Sequence, residues 1–353
     1  MDPRIELNPN EVVAFLGKHP GEFTRADMLK FIREKGIRMI DFMYPAEDGR
    51  VKTLNFTVNN LAYAETILTE GERVDGSSLF PSFIEAGNSD LYVLPRYRTA
   101  FVDPFNEIPT LCFLCSFFDK NGEPFDCAPY QTLMRAEDAF YQSTGMTFEA
   151  MGELEYYVIT DADPLFPATD QKGYHESEPF AKLNDFRRAC MVRVAQTGGQ
   201  IKYGHSEVGN FTLNGKIYEQ NEIEFLPNPV ETAADQLLLA KWVIRNLAYQ
   251  WGLDVSFAPK ITTGKAGSGM HIHKSENAAR LSTLDSLPTC CAESAACLEA
   301  VREVYEADDV FKPRMIDGII SSLKAHHDKH LHADAKKDPA LMRKLVDQYF
   351  YCG

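Results

Sequence analysis

The sequence predicts an α+β protein: two unequal mixed parts followed by a helical tail. Three observations predict it. Strand-like alternation bounded by tight-turn residues recurs in both parts. Helical segments are interleaved with those strands, and beyond about residue 285 only helical patterns remain. The 353 residues are 44% hydrophobic and 25% charged, which is globular composition, and ~150 residues per domain suggests two or three domains. The expected divisions are 1–105, a small α+β unit; 106–285, a larger α+β unit; and 286–353, a helical segment.

Thr24 stands three residues before Asp27, a capping-box spacing, and Gly36 supplies a stop, so residues 24–36 read as a helix. Ile37 to Tyr44 alternates as a strand, Glu47-Asp48-Gly49-Arg50 supplies a turn, and Val51 to Val58 returns as its partner. Asp75-Gly76-Ser77-Ser78 reads as a loop, followed by an extended segment through Tyr92-Val93-Leu94-Pro95. From Pro129 the elements lengthen. Helices are expected at 130–143, 177–196 and 231–252, and strands at 147–159, 200–208, 217–226, 254–259 and 269–273. Asn214-Gly215 is a strong hairpin turn. The tail reads as helices at 289–306, 313–326 and 338–348.

Charge and cysteine content exclude several classes. With 36 Lys+Arg against 51 Asp+Glu the net charge is −15, which disfavours nucleic acid or an anionic membrane as partner, since both demand clustered cations. Polyphosphate ligands remain open, because a bound divalent cation can supply the positive charge. The opening segment is polar, no apolar run approaches the ~20 residues of a membrane span, and eight cysteines are too few for a disulfide scaffold. A cytoplasmic location is therefore expected. Cys112 and Cys115 form one C-x-x-C, but they lie in Leu111-Cys112-Phe113-Leu114-Cys115-Ser116-Phe117-Phe118, which reads as a buried strand. Adjacent Cys290 and Cys291 read the same way.

Three segments carry candidate chemistry. In Met151-Gly152-Glu153-Leu154-Glu155-Tyr156 the two carboxylates share one face of a strand. A solvated outer face would explain them, but the following Tyr-Tyr-Val-Ile marks a partly buried strand and shifts the reading toward a cation. His205-Ser206-Glu207 precedes the Asn-Gly turn, and Gln220-Asn221-Glu222-Ile223-Glu224-Phe225 follows it. That pair reads either as an amphipathic hairpin with a polar side or as part of the same site. Gly264-Lys265-Ala266-Gly267-Ser268-Gly269-Met270-His271-Ile272-His273 leads three glycines into a strand with two histidines on one face. It matches neither a P-loop nor a dinucleotide fingerprint, and a lone H-x-H is ordinarily structural. Together these residues form an oxygen-rich set suited to Mg²⁺ or Mn²⁺, and two such ions side by side handle phosphoryl transfer. From the residues alone the reading is a metal-dependent phosphoryl-transfer enzyme.

Asp75-Gly76-Ser77-Ser78, Gly152-Glu153-Leu154-Glu155-Tyr156, His205-Ser206-Glu207-Val208 with Gln220-Asn221-Glu222, and Lys260 followed by Gly267 to His273 together resemble the glutamine synthetase family. The motifs occur in the family's order across roughly 75–273. The resemblance implies an N-terminal β-grasp domain and a catalytic domain whose antiparallel strands form half of a funnel-shaped site. It also implies amidation of L-glutamate by ammonia, with ATP first forming γ-glutamyl phosphate. Carried over, Glu155, Glu207 and Glu222 hold one Mg²⁺ or Mn²⁺, and Glu153 and His271 help hold a second. His273 contacts nucleotide phosphates and Gly267 lies along the glutamate backbone. Asp75 reaches a neighbouring subunit's site and assists ammonium binding and deprotonation, which implies a homo-oligomer with inter-subunit active sites.

The sequence departs from the family in three places. The hairpin between Glu207 and Glu222 is longer than in common members, and Lys202 replaces a nucleotide-contacting acid. More seriously, the family's arginine-bearing stretches after His273 are absent. Lys274-Ser275-Glu276-Asn277-Ala278-Ala279-Arg280 runs directly toward Leu287-Pro288 and the terminal helices. The chain therefore reads as internally shortened. A cation on the transferring phosphoryl group is worth ~10³–10⁵ in rate, so weak or absent synthetase activity is expected, with an exposed sheet edge. Two alternatives stand beside the ligase: an inactive relative serving as a binding or assembly partner, and a γ-glutamyl-amine ligase. Finally, His326 and His330 are spaced i,i+4, as a clip or as a solvated helical face.

Overall fold

The computed structural model describes residues 5–84, 89–273 and 287–352. Two six-stranded sheets organise the chain. The first contains β1 (Met39–Pro45), β2 (Val51–Thr57), β3 (Glu72–Asp75), β4 (Asp90–Pro95), β5 (Phe101–Val102) and β6 (Thr110–Phe118). Its order is β2-β1-β6-β4-β3, with β5 also on β6. β1 and β6 run parallel, and the other pairs are antiparallel.

The β6 strand corrects the expected boundary at 105. Its apolar run is buried, as the sequence predicts, but at the centre of the first sheet rather than in the second unit. Both of its faces are covered, as a central strand requires. Helices α1 (Glu11–Leu16), α2 (Arg25–Lys35) and α3 (Leu61–Glu70) accompany this sheet. The capping box predicted at Thr24 is present: its hydroxyl accepts from Asp27 N, and the Asp27 carboxylate accepts from Thr24 N at 3.0 Å. Asp75-Gly76-Ser77-Ser78 is not a simple loop. Asp75 ends β3 and caps a single turn, α4 (Gly76–Leu79). The aromatic core joins Phe31, Phe42, Phe113 and Phe117, and Met315 from the tail packs against it.

The second sheet is built on β7 (Glu149–Asp161), β8 (Ile201–Leu213) and β9 (Lys216–Phe225). β9 lies between β8 and β7. Three short strands also pair with β7: β10 (Asn228–Pro229), β12 (Met270–His273) and β11 (Asp254–Ser256). The Asn214-Gly215 turn is present, with φ of 52° and 77°. It extends β8 to Leu213, beyond the expected 208. Leu154, Tyr156, Ile223 and Phe225 form the inner face against α6 (Asn184–Gln196) and α7 (Val230–Trp251). α5 (Pro129–Thr144) precedes this sheet.

The helix expected over 177–196 starts only at Asn184. Pro179 has no N–H and disfavours helical backbone at Glu178. In addition, Lys182 N and Leu183 N donate to the Glu219 carboxylate at 2.8 and 3.0 Å, fixing the chain before the helix. α7 joins the two sheets. Arg96 donates through both terminal nitrogens to Asp235, each at 2.7 Å, and Arg98 reaches Glu231 and Asp235.

In the tail, the helix expected at 289–306 is broken at Val301 into α8 (Cys291–Ala300) and α9 (Arg302–Glu306). α10 (Pro313–Ala325), α11 (Leu331–Lys337) and α12 (Pro339–Tyr349) follow. His326 ends one helix and His330 precedes the next, with His327 at φ 49° between them. They do not share a helical face, which overturns the i,i+4 reading. Among the described residues β12 pairs with β7 alone, and Met270 and Ile272 are half-exposed.

Candidate metal centre

Strand alternation places Glu153 and Glu155 on one face of β7, and Glu222 and Glu224 on the same face of β9. The antiparallel register then sets Glu153 opposite Glu224 and Glu155 opposite Glu222. β8 brings Tyr203 opposite Glu224 and His205 opposite Glu222, while β12 brings His271 opposite Glu153. Four glutamates thus sit in adjoining cross-strand pairs with a histidine on each side. Like charges directly opposite one another are destabilising.

Three side chains converge closely. Ligand atoms of His205, Glu207 and Glu222 all lie within 4.8 Å of one another. His205 Nε2 stands 3.7 Å from Glu222. On the other side, His271 Nδ1 stands 3.0 Å from Glu153 Oε2 and 3.6 Å from Glu155 Oε1. Glu155 Oε2 accepts from Gln220 Nε2 at 2.7 Å and from Gly269 N at 3.1 Å. Lys202 donates to Glu224. The electrostatics follow from this crowding. Burial pushes the Glu222 carboxyl up to about 8, with Glu153, Glu155, Glu207 and Glu224 adding repulsion. Burial also raises Glu155, partly offset by the Gly269 amide.

The glycine segment shapes the rim. A Cβ on Gly267 would stand 2.4 Å from Pro259 O, so only glycine fits this close approach. The Gly267 carbonyl accepts from Gln220 Nε2 at 2.9 Å, and the Ala266 carbonyl from the Tyr157 hydroxyl at 2.8 Å. The loop is therefore tied to the same strands that carry the glutamates.

Of the predicted residues, Glu153, Glu155, Glu207, Glu222 and His271 gather at one face. Gly267 lies beside them, bonded to Gln220, the Glu155 partner. His273 ends β12, opposite Met151; its side chain, and Ser275, lie outside the described residues. Asp75 is elsewhere, exposed on the first sheet, where its carboxylate accepts from Ser77 N, Ser77 Oγ and Ser78 Oγ. Those serines hold it well below the usual carboxylate range. The sequence reading assigns His205 no role. Its two-residue spacing from Glu207 carried the signal, yet the bulge between Ser206 and Asn210 makes that spacing unsafe from sequence.

The donor set fits a hard divalent cation. Carboxylates dominate it, imidazoles flank it, and burial with carboxylate repulsion raises Glu222, a cost that a bound cation would relieve. The fold and this cluster define an α+β protein with a candidate cation site on an antiparallel sheet. The glutamine synthetase β-grasp domain family model matches residues 36–120, and the glutamine synthetase catalytic domain model matches 126–280. The chain belongs to the glutamine synthetase family.

Relatives give the range of that family. A glutamine synthetase of Frankia alni is 30% identical over 72% of this chain, and a 3-hydroxylaminophenol mutase of Cupriavidus pinatubonensis is 29% identical over 71%. The chain spans 58% of the length of each. A Plasmodium falciparum glutamine synthetase structure superposes with TM-score 0.61 at 17% identity, covering 71% of this chain and 53% of that one. Ligand-free GmaS gives 0.58 at 18% identity, covering 70% and 56%. The mixed fold expected from the sequence, with an N-terminal β-grasp domain, is thus present. Among the described residues no helix is long and apolar enough to cross a membrane.

Proposed function

We propose that the glutamate cluster is the cation site of an ATP-dependent ligase of the glutamate-amidating kind, with turnover reduced by the shortened chain. The facing pairs Glu153–Glu224 and Glu155–Glu222, closed by His205 and His271, carry the proposal. In this reading Glu155, Glu207 and Glu222, with His205 beside them, hold one Mg²⁺ or Mn²⁺. Glu153 and His271 contribute to a second. When bound, such ions neutralise charge on a transferring phosphoryl group.

The chain's own residues supply the rest. Gly267 gives glutamate a backbone wall without a side chain, and His273 approaches the nucleotide phosphates. Asp75 acts from a neighbouring copy, where its low proton affinity suits it to bind ammonium. The γ-carboxylate of glutamate takes the terminal phosphoryl of ATP, and ammonia then displaces phosphate. The expected reduction in turnover follows from the arginines the family resemblance calls for and this sequence lacks. Two of the arginines described beyond β12 are committed to other partners, Arg302 to Glu306 and Asp317 and Arg314 to Asp126, and Arg343 lies on the last helix. GmaS is a relative in fold, so an amine acceptor belongs in the same test.

That test is phosphate release from ATP with glutamate, Mg²⁺ or Mn²⁺, and either ammonium or methylamine, with Glu155→Ala as control. The reading predicts slow release that requires glutamate and disappears in the control. Release that survives Glu155→Ala contradicts it. No release from a sample that melts cooperatively and binds Mn²⁺ would favour the inactive binding partner instead.

A further inference from the structure

A second group of side chains able to ligate a metal lies away from the glutamate cluster, on the face of the first sheet that packs against α7. The strand period sets Cys112 and Cys115 on opposite faces of β6, so that C-x-x-C cannot clasp one ion. Cys115 turns into the aromatic core, whereas Cys112 packs with Met43, Phe101 and Leu239. Register then brings polar partners to Cys112. Asp41 of β1 stands opposite it, and Asn55 of β2 stands opposite Asp41. Asp103 comes two residues after Phe101, the β5 residue that also pairs with Cys112. A carboxylate oxygen of Asp41, one of Asp103 and Cys112 Sγ all lie within 4.8 Å of one another.

A separate observation points to a ligand there. Asp41 is 8% exposed, and its Oδ1 is buried with no hydrogen-bond partner among the described residues. Asn55 acts on the same carboxylate through a hydrogen bond. A buried acceptor left without a donor costs folding free energy and calls for a water or an ion. Asp103 is already oriented, since Phe105 N donates to its Oδ1 at 2.8 Å. Burial raises Asp41, Asp103 and Cys112 above their ordinary values, with Asp103 adding to Asp41 and both adding to Cys112. Cys112 is 1% exposed, whereas Asp103 is half-buried and Asn55 exposed, so the approach from solvent lies on their side.

We propose that Asp41, Asp103 and Cys112 form a separate cation site that takes a borderline-soft divalent ion of the Zn²⁺ class. A sulfur donor beside two carboxylates suits Zn²⁺, whereas Mg²⁺ and Mn²⁺ prefer oxygen donors and so favour the glutamate cluster. The thiol binds as thiolate, and its proton passes to solvent. Three protein donors leave a fourth position for water. An ion held here ties β1, β6 and the segment after β5 together beneath α7.

Titrating Co²⁺ into the reduced full chain and following the thiolate-to-cobalt charge-transfer absorption tests this, with a melt of each sample. Carboxylates and imidazoles give no such band, so the glutamate cluster does not contribute to it. The band is expected to saturate, to be displaced by Zn²⁺ and to be absent in Cys112→Ser. Asp103→Asn should weaken Co²⁺ binding about tenfold or more. Asp103 is half-buried, so its variant keeps the test valid if Cys112→Ser fails to fold. Cys297 is exposed, and Cys297→Ser should leave the band unchanged, as should Glu222→Gln, which separates this site from the proposed ligase site. No band from a parent chain that melts cooperatively would overturn the proposal. So would a band undiminished in Cys112→Ser or Asp103→Asn, or one lost in Cys297→Ser or Glu222→Gln.

Discussion

The two sheets have the same number of strands and spend their interiors differently. In the first, the central strand Thr110–Phe118 is apolar on both faces, and its aromatic rings interlock: Phe113 lies 6.4 Å from Phe42 and 6.3 Å from Tyr97 by ring centroids. In the second, one face of the central strand Lys216–Phe225 is equally apolar, but the other carries Glu222 and Glu224, 6% and 3% exposed. Burial that stabilises the first sheet penalises this face of the second. Buried carboxylates crowded on one face mark where a bound cation would be stabilising.

The largest expected effect breaks the first sheet alone. Phe113→Ala removes a fully buried ring and should cost about 3–5 kcal/mol in denaturant unfolding. Because the ring is remote from the glutamates, Mn²⁺ affinity measured on the folded fraction should be unchanged. The second effect belongs to the other sheet. Mn²⁺ at about a hundred times its dissociation constant should raise stability by about 2.7 kcal/mol, and the gain should vanish in Glu222→Gln.

A third prediction concerns pH. The folded protein holds the Glu222 proton up to about 8, against 4.5 for the free side chain. The folded state therefore binds more protons than the unfolded chain between those values. Metal-free stability should fall as pH rises from 4.5 through 8, by up to about 1.4 kcal/mol per pH unit. Saturating Mn²⁺ should flatten that slope, because the cation requires the deprotonated carboxylates. The smallest effect sharpens the comparison at the hairpin. Gly215 has φ 77° with open space around its missing Cβ, so Gly215→Ala should cost only backbone strain, about 1 kcal/mol, without altering cation binding.

Much of this was legible in the sequence because strands obey a period of two. That period alone put Glu153 with Glu155 and Glu222 with Glu224. It could not give the register that makes Glu153 face Glu224, since register depends on where the Asn214-Gly215 turn closes and on a bulge at Ser206. Nor could it assign Leu111–Phe118 to the first sheet. A strand apolar on both sides fits the centre of either, and its parallel partner, β1, lies some seventy residues earlier. The late start of α6 turned on Pro179 and on a contact with distant Glu219, and only the proline was visible beforehand. The histidine pair at 326 and 330 failed for a simpler reason. The helix stops at Ala325, so the periodicity assumed for it does not apply.

The central claim is that the second sheet's facing glutamates hold divalent cations. Titrating Mn²⁺ into the full chain while following the free-ion electron paramagnetic resonance signal tests it most directly, with Glu222→Gln as comparison and a melt of each sample. The account predicts saturable loss of the free signal in the parent chain and little loss in the variant, with both samples melting cooperatively. Equal uptake by the two, or no uptake by a folded parent, would contradict it.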